Sequence, residues 1–136
     1  MNTLGYRIVF RFSGGLEVEG VLEDNKELEK LLARSPFTSV VSLWGEEVYF
    51  PLPIKMELMG ERTVMSIGEI AYWPEGNCLC IFFGKTPMSK NDRPVAYSNV
   101  KPIGRIVKGI ENLKGIKPSS RIEVIINRLQ PGLVEN

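Results

Sequence analysis

Residues 68–87, GEIAYWPEGNCLCIFFGKTP, constrain the possible fold more than any other part of the chain. Two apolar runs, Glu69–Trp73 and 77–83, flank the tripeptide PEG, in which proline and glycine favour a tight turn. We expect Gly76 to take the positive φ that such a reversal needs. The segment holds both cysteines and four of the twelve Phe, Trp and Tyr residues, so its strands need cover on both faces. It therefore predicts a hairpin at the centre of a β-barrel or β-sandwich.

The size and charge of the chain exclude several classes of protein. With 136 residues, we expect positions 1–136 to form a single domain whose tail is frayed from about residue 129. Lys and Arg total 17 against 16 Asp and Glu, without a basic stripe, which argues against nucleic acid as a partner. No apolar run approaches the roughly 20 residues of a membrane span, and the N-terminal residues alternate like a strand. We therefore expect a cytoplasmic protein with no membrane partner, and oligomeric state leaves no signal in the sequence.

The sequence contains no histidine, which removes the usual imidazole base and the commonest transition-metal ligand. Cys78 and Cys80 are two residues apart in a predicted strand, so their side chains point to the same face. A disulfide at that spacing would be strained, and two thiolates do not complete a zinc site. We expect two small buried side chains in a reducing compartment, and no metal or cofactor.

The chain begins with two alternating runs separated by the tripeptide SGG. A two-residue loop would pair Phe12 with Glu17 and mix the apolar and polar faces. A three-residue loop pairs Phe12 with Leu16 and Arg11 with Glu17, which keeps the faces separate. We predict the three-residue loop, with a glycine in the left-handed conformation forming a bulge.

A helix is predicted to follow this hairpin. Asp24 and Glu27 have the spacing of a capping box, and Leu28 and Leu32 lie on one apolar stripe. Pro36 ends the helix, because the residue before a proline avoids the helical conformation.

The rest of the chain has the pattern of short strands joined by turns. Pro51 and Pro53 remove two backbone donors, so their strand must leave the sheet or run along an edge. Residues 84–94 form the one long loop, which is typical of a binding element or a mobile flap. Further strands are predicted at 37–44, Glu47–Pro51, 54–59, 63–67, 95–107 with a break at Pro102, and 121–127, and a helical turn at 110–113.

Large aromatic residues beside polar groups are the candidates for a ligand site. In the pairs Tyr72/Trp73 and Phe82/Phe83, the two side chains point to opposite faces, so one packs in the core. Glutamates beside aromatic residues either meet a cationic or amide ligand or are solvated turn carboxylates. Core packing is the alternative for each aromatic residue. The candidate ligand-binding residues are Trp44, Glu47, Tyr49, Tyr72, Trp73, Phe82, Phe83, Arg93 and Tyr97.

Three separated motifs, WGEEVYFPLP, GEIAYWPEGNCLCIFFGKTP and IGRIV, resemble the small prokaryotic cyclophilin-like family of uncharacterised function. The likeness extends over nearly the whole chain. It implies a mainly β fold: a closed cyclophilin-like antiparallel β-barrel of about eight strands. It also implies one helix in the N-terminal half and a short one in the C-terminal half.

The resemblance to cyclophilins does not carry over their catalytic residues. Cyclophilins isomerise prolyl bonds with an apolar pocket and an arginine from a strand ending FHRIIP, which the resemblance places at residues 47–53. That stretch reads EVYFPLP here, and no arginine occurs between Arg34 and Arg62. The only glutamine is Gln130. Of the pocket residues, only a phenylalanine carries over, at Phe82 or Phe83. Loss of a charge-assisted donor from such a site removes most of the rate gain.

We therefore expect a binding module that holds a peptide or small molecule in an aromatic-lined groove and lacks efficient isomerase activity. One alternative is a prolyl isomerase that uses a different cation, supplied by Arg62, Arg93 or Arg105. Another is an interaction protein that pairs through the strand edge at residues 51–53.

Overall fold

The computed structural model describes residues 3–129, and in this part of the chain β-strands predominate, as predicted. The described residues form ten strands, one short α-helix and one 3₁₀ helix. In chain order, the elements are β1 (Leu4–Phe12), β2 (Glu17–Glu23), α1 (Leu28–Leu32), β3 (Phe37–Val40), β4 (Ser42–Leu43), β5 (Glu47–Pro51), β6 (Arg62–Val64), β7 (Glu69–Trp73), β8 (Cys78–Phe82), β9 (Val95–Lys108), the 3₁₀ helix (Ile110–Gly115) and β10 (Arg121–Arg128).

The strands form an antiparallel sheet with the order β3-β10-β1-β2-β9-β7-β8-β5-β4, and β6 pairs with β9 beside this path. Within the described residues no ladder joins the end strands β3 and β4, so the sheet is open and the predicted closed barrel is not confirmed. The two ends lie close, since the Ser39 hydroxyl donates to the carbonyl of Pro51 across 2.8 Å. There are ten strands rather than eight, partly because the predicted run 37–44 divides at Val41 into β3 and β4.

The side chains of the sheet form two separate buried clusters. Val48 and Phe50 on β5 belong to the main core, where Phe50 packs edge-on against Phe10 with ring centroids 6.2 Å apart. The alternate residue Tyr49 packs against the second cluster, on the other side of the strand. We call the side of β5, β7 and β8 that bears this second cluster the outer face. The second cluster consists of Met65, Ala71, Cys80, Phe82, Ala96 and Val100.

The first hairpin has the predicted register. Arg11 is paired with Glu17, and their side chains form an ion pair with an N–O distance of 2.7 Å. The N–H of Phe12 donates to the carbonyl of Leu16. Two glycines lie at positive φ in the loop, including Gly14 at 94°, which confirms the left-handed turn.

The central hairpin is confirmed, but its turn differs from the prediction. The positive φ belongs to Asn77, at 51°, and not to Gly76. Asparagine tolerates this region, and here its amide accepts a hydrogen bond from the hydroxyl of Tyr72 at 2.5 Å. Gly76 is needed for another reason: a Cβ at this position would overlap the indole ring of Trp73.

The predicted capping box of α1 is wrong. The helix starts at Leu28, and Glu27 makes no side-chain cap. The side-chain carbonyl of Asn25, not Asp24, accepts a hydrogen bond from the N–H of Glu27 at 2.9 Å. The carboxylate of Glu27 instead makes a tertiary contact: it accepts a hydrogen bond from the N–H of Glu57 at 2.6 Å.

Two further predictions for the second half of the chain are wrong. The strand predicted at 54–59 is absent; instead, Met56 is buried in the main core and its N–H donates to a tyrosine hydroxyl. Pro102 does not break β9; it lies at a shift in register between β7 and β9, so the strand continues through a bulge. The predicted frayed tail falls outside the described residues from Gln130 onward.

The strand predicted at 63–67 is shorter, at Arg62–Val64, and three other predictions for this half are confirmed. The predicted loop at 84–94 contains no strand, and the helical turn and the last strand are present. Neither helix of the described chain has the length and apolar character that crossing a membrane requires.

Candidate functional site

A cavity of about 180 Å³ lies on the outer face of the sheet. It is smaller than the roughly 300–1,000 Å³ of pockets that enclose drug-sized ligands, so it suits a single chemical group. Its lining residues come from the β4–β5 turn and from β5, β7 and β9, and they are Trp44, Glu47, Tyr49, Trp73, Ala96, Tyr97 and Val100.

A tight turn places Trp44 and Glu47 at the same side of the cavity. The N–H of Trp44 donates to the carbonyl of Glu47 at 3.0 Å, and the reverse bond measures 3.2 Å. Gly45 in this turn has a φ of 61°, and a Cβ there would lie 2.8 Å from the carbonyl of Lys85. Tyr49 follows Glu47 by two residues on β5, so both side chains point to the outer face.

Four aromatic rings form a continuous wall. Trp44 packs against Tyr97 with centroids 5.9 Å apart and an interplanar angle of 83°. Tyr97 also meets Trp73 at 6.2 Å and 81°, and Trp73 meets Tyr49 at 6.3 Å and 89°. Edge-to-face contacts are the preferred geometry of aromatic pairs. The indole Nε1 of Trp73 donates to the hydroxyl of Ser98 at 2.7 Å, which fixes the orientation of that ring.

Glu47 is the one acidic side chain in the lining, and it is only 6% exposed. Burial raises the pKa of its carboxyl from the ordinary 4.5 to about 7, and a hydrogen bond with Cys80 opposes this rise. Neither lysine nor arginine occurs among the lining residues that the structure describes. The carboxyl therefore lies against an aromatic wall without a cation in the cavity.

Both cysteines are buried free thiols, as predicted. Burial is the main reason that the pKa of the Cys80 thiol rises well above its ordinary value, and the neighbouring Glu47 adds to this. Burial also raises the pKa of Cys78. Because the thiolate is the nucleophile, these thiols are unreactive structural groups beneath the site.

The structure brings together five of the nine predicted site residues: Trp44, Glu47, Tyr49, Trp73 and Tyr97. For Glu47, the alternative of a solvated turn carboxylate is wrong because the side chain is buried. The whole wall of the cavity was therefore present in the predicted set, and binding of a ligand there stays a prediction.

The other four predicted residues do not line the cavity. Tyr72 is fully buried in the main core, and Phe82 is fully buried in the second cluster. Phe83 is partly buried against the main core. Arg93 is exposed, and its Nε donates to the carbonyl of Met65 at 3.2 Å.

The loop at residues 84–94 packs beside the β4–β5 turn, and none of its residues lines the cavity. The buried hydroxyl of Thr86 donates to the carbonyl of Val95 at 2.5 Å. The N–H of Thr86 donates to the hydroxyl of Ser89 at 2.9 Å. The amide of Glu46 donates to the carbonyl of Lys85 at 2.7 Å, which ties the loop to the turn.

Sequence reasoning missed Ala96 and Val100 in the lining and Cys80 as the partner of Glu47. Ala96 and Tyr97 are adjacent and would point to opposite faces of a regular strand. The pairing of β9 with β6 is irregular here, because Arg62 pairs with Val100 but Val64 pairs with Val95. No sequence signal reveals that irregularity.

Among residues 3–129, no group of three or more His, Cys, Asp and Glu is placed to hold a metal ion.

Comparisons with known proteins agree with the fold described above. A family model described as cyclophilin-like matches residues 6–125. Among solved structures, the chain is similar to the solution structure of the hypothetical protein AF2241 from Archaeoglobus fulgidus, with a TM-score of 0.73. The two sequences are 32% identical, and the match covers 95% of this chain and 98% of that one. Among curated proteins, the comparison finds no match.

Proposed function

This chain belongs to the cyclophilin-like family, and we propose that it is a binding module that holds one group of a small molecule or peptide in the aromatic cavity. The observation that supports this most directly is the wall of four aromatic rings around an accessible cavity. Aromatic side chains packed only for stability would fill this space, whereas Tyr97 is 65% exposed at its mouth.

The absence of arginine from the described cavity lining supports a function without prolyl isomerisation. Two of the alternative cations are engaged elsewhere. Arg62 donates two hydrogen bonds to the carboxylate of Glu69, at 3.1 and 2.7 Å, and Arg93 is bound to the backbone of Met65. Arg105 lies with Arg62 in a separate charged groove. An isomerase needs a donor aimed at the twisting amide, and the lining of this cavity supplies no cation for it.

We also propose that the chain acts as one domain in a reducing compartment. Strands from residue 4 to residue 128 share one sheet, which supports a single unit. The two free buried thiols suit a cytoplasmic environment. The proximity of the two sheet ends, through Ser39 and Pro51, supports a barrel-like curvature.

Tryptophan signals provide a direct test of binding at the cavity. The chain has two tryptophans, and both line the cavity, so indole fluorescence and the two indole N–H resonances report on this site. We expect members of a library of small molecules and short peptides to perturb both resonances. Tyr97→Ala should weaken the binding of every such ligand. Met59→Ala serves as the matched control, because Met59 is 84% exposed and lies outside the cavity lining. A library in which no compound perturbs either indole would contradict the proposal.

A protease-coupled assay on Xaa-Pro peptides tests the isomerase alternative. We expect rates equal to those in buffer for several Xaa residues. Catalysis that survives Tyr97→Ala but is lost in Arg62→Lys, Arg93→Lys or Arg105→Lys would favour an isomerase that uses a different cation.

A further inference from the structure

The chemistry of the cavity lining narrows the class of ligand. Its one ionisable acid, Glu47, is nearly inaccessible, yet no lining residue in the described chain carries a positive charge. A buried carboxylate without a cationic partner is costly, whereas an apolar residue of similar volume would carry no such cost. Because the pKa of the Glu47 carboxyl is about 7, a proton removes this cost at lower pH, and at higher pH a cationic ligand can supply the compensating charge.

The four aromatic rings that line the cavity together with Glu47 are also suited to bind a cation. The faces of tryptophan and tyrosine rings carry negative electrostatic potential and attract cations that lie within about 6 Å of the ring centre. Trp44, Tyr97, Trp73 and Tyr49 meet in sequence at interplanar angles between 81° and 89°, so successive rings turn their planes by nearly a right angle around the space. This arrangement can present ring surfaces to a compact cation from several directions.

The lining favours an alkylated ammonium over a bare one. A primary ammonium has three N–H donors that each need an acceptor. Besides the Glu47 carboxylate, the lining side chains offer two phenol oxygens, and the rest are indole, Ala96 and Val100. Methyl groups on the nitrogen would pack on these apolar surfaces while the charge remains.

From these observations, we propose that the cavity binds an alkylated ammonium group, with Glu47 as its counterion and the four aromatic rings as its walls. This inference rests on the proposed function and names its ligand class. A cavity of about 180 Å³ accepts one such group, carried either by a small metabolite or by a methylated lysine of a peptide.

The primary test compares choline with neohexyl alcohol, the neutral analogue in which carbon replaces the nitrogen. Titrations follow the emission and the indole resonances of Trp44 and Trp73. We expect choline to bind the wild-type protein about tenfold or more tightly than neohexyl alcohol. Equal or tighter binding of the alcohol would overturn the cation inference while leaving a binding module in place. If neither compound perturbs the indoles, the cation inference fails, and the library screen decides the proposed function separately.

Two matched variants isolate the charge of Glu47. Glu47→Gln preserves shape and should weaken choline binding about tenfold or more, without changing the affinity for neohexyl alcohol. Glu46→Gln removes the same charge one residue away, outside the cavity lining, and should leave choline affinity within about twofold. An unchanged choline affinity in Glu47→Gln would overturn the proposal. The wild-type comparison of choline with its analogue remains decisive if a variant fails to fold.

The pH dependence of wild-type binding is a second readout. Choline affinity should rise between about pH 6 and pH 8 as the Glu47 carboxyl ionises, and the alcohol should show no such rise. The titratable groups that face Glu47 are the Cys80 and Cys78 thiols on β8, Tyr49 on its own strand and Tyr97 on β9. The Cys78 and Cys80 thiols have raised pKa values and stay neutral in this range. A pH-independent choline affinity would count against Glu47 as the counterion.

Peptides distinguish the two sources of the ammonium group. A short peptide that carries trimethyllysine is compared with its unmethylated form and with free choline. Tighter binding of the methylated peptide than of choline supports the proposal with a polypeptide ligand. The reverse order supports it with a small metabolite. Preference for the unmethylated lysine over both would overturn it.

Discussion

The thiol of Cys80 donates a hydrogen bond to the carboxylate of Glu47. Both side chains lie on the outer face of the paired strands β5 and β8. The bond favours the ionised carboxyl, but burial outweighs it and raises the pKa of Glu47 to about 7. The carboxyl therefore changes its charge near neutral pH, and several measurable properties depend on this.

The first prediction concerns stability and pH. Between its ordinary pKa of 4.5 and its folded value of about 7, Glu47 binds more protons in the folded than in the unfolded state. The free energy of unfolding therefore falls as pH rises through this range. We expect the free energy of unfolding of Glu47→Gln to exceed that of the wild type by about 2–4 kcal/mol near pH 8. This difference should shrink towards pH 5. Urea denaturation at several pH values measures this.

The wild-type minus variant difference is needed because other carboxyls act in the opposite direction. Hydrogen bonds from Arg7 and from Tyr6 lower the pKa of Glu19 and of Glu29. Both contributions are common to wild type and variant and cancel. Glu46→Gln is the control, and a stability difference for Glu47→Gln that is constant with pH would refute the assignment.

The second prediction separates core residues from site residues. Phe82 is fully buried in the second cluster, so Phe82→Ala should reduce the free energy of unfolding by about 3–5 kcal/mol. Tyr97 is mostly exposed, so Tyr97→Ala should reduce the free energy of unfolding by less than about 1 kcal/mol and should weaken ligand binding. Urea denaturation and tryptophan titration measure the two effects. A large stability loss in Tyr97→Ala would mean that this ring serves packing rather than binding.

The third prediction concerns Gly76. A Cβ at this position would overlap the ring of Trp73, so Gly76→Ala should displace the indole, shift its N–H resonance and weaken ligand binding. The control is Gly14→Ala, which strains a residue with φ of 94° and contacts nothing within 4 Å. Gly14→Ala should reduce the free energy of unfolding by about 1 kcal/mol and leave the Trp73 resonance unchanged. The idea fails if the resonance stays in place in Gly76→Ala.

The fourth prediction concerns the anchor of the 84–94 loop. The buried Thr86 hydroxyl donates to the carbonyl of Val95 and accepts the N–H of Met88 at 3.3 Å. Thr86→Val leaves these backbone groups without that partner and should reduce the free energy of unfolding by about 1–3 kcal/mol. Thr86→Ser keeps the hydroxyl and should recover most of the loss. A loss in Thr86→Ser as large as that in Thr86→Val would contradict this assignment, because serine keeps the hydroxyl and lacks only the methyl group that valine retains.

Local patterns in the sequence predicted the hairpins well. The register of the first hairpin follows from apolar alternation, because a shift of one residue would expose the side chains of the main core. Arg11 and Glu17 therefore meet as predicted. The predicted capping box failed because Glu27 is used by the distant N–H of Glu57, a contact that no local pattern encodes.

The candidate site was predicted in composition but not in arrangement. Alternation showed that Trp73 and Tyr72 face opposite sides, yet it could not tell which side would be closed. Tyr72 faces the main core, and Trp73 faces the cavity. Tyr97 lines the cavity beside its neighbour Ala96, at the irregular pairing of β9 with β6.

The amino-acid sequence by itself determined a β-rich chain of the cyclophilin-like family, the register of its first hairpin and the set of aromatic residues from which the cavity wall is drawn. These features depend on short-range alternation and turn chemistry, which neighbouring residues specify. Only the tertiary structure decided that the sheet of residues 3–129 is open, that Glu47 is buried beside Cys80, and that four rings from three separate parts of the chain meet around one space. Burial and the pKa of Glu47 depend on residues distant in sequence, because the desolvation of a carboxyl is set by everything that packs around it.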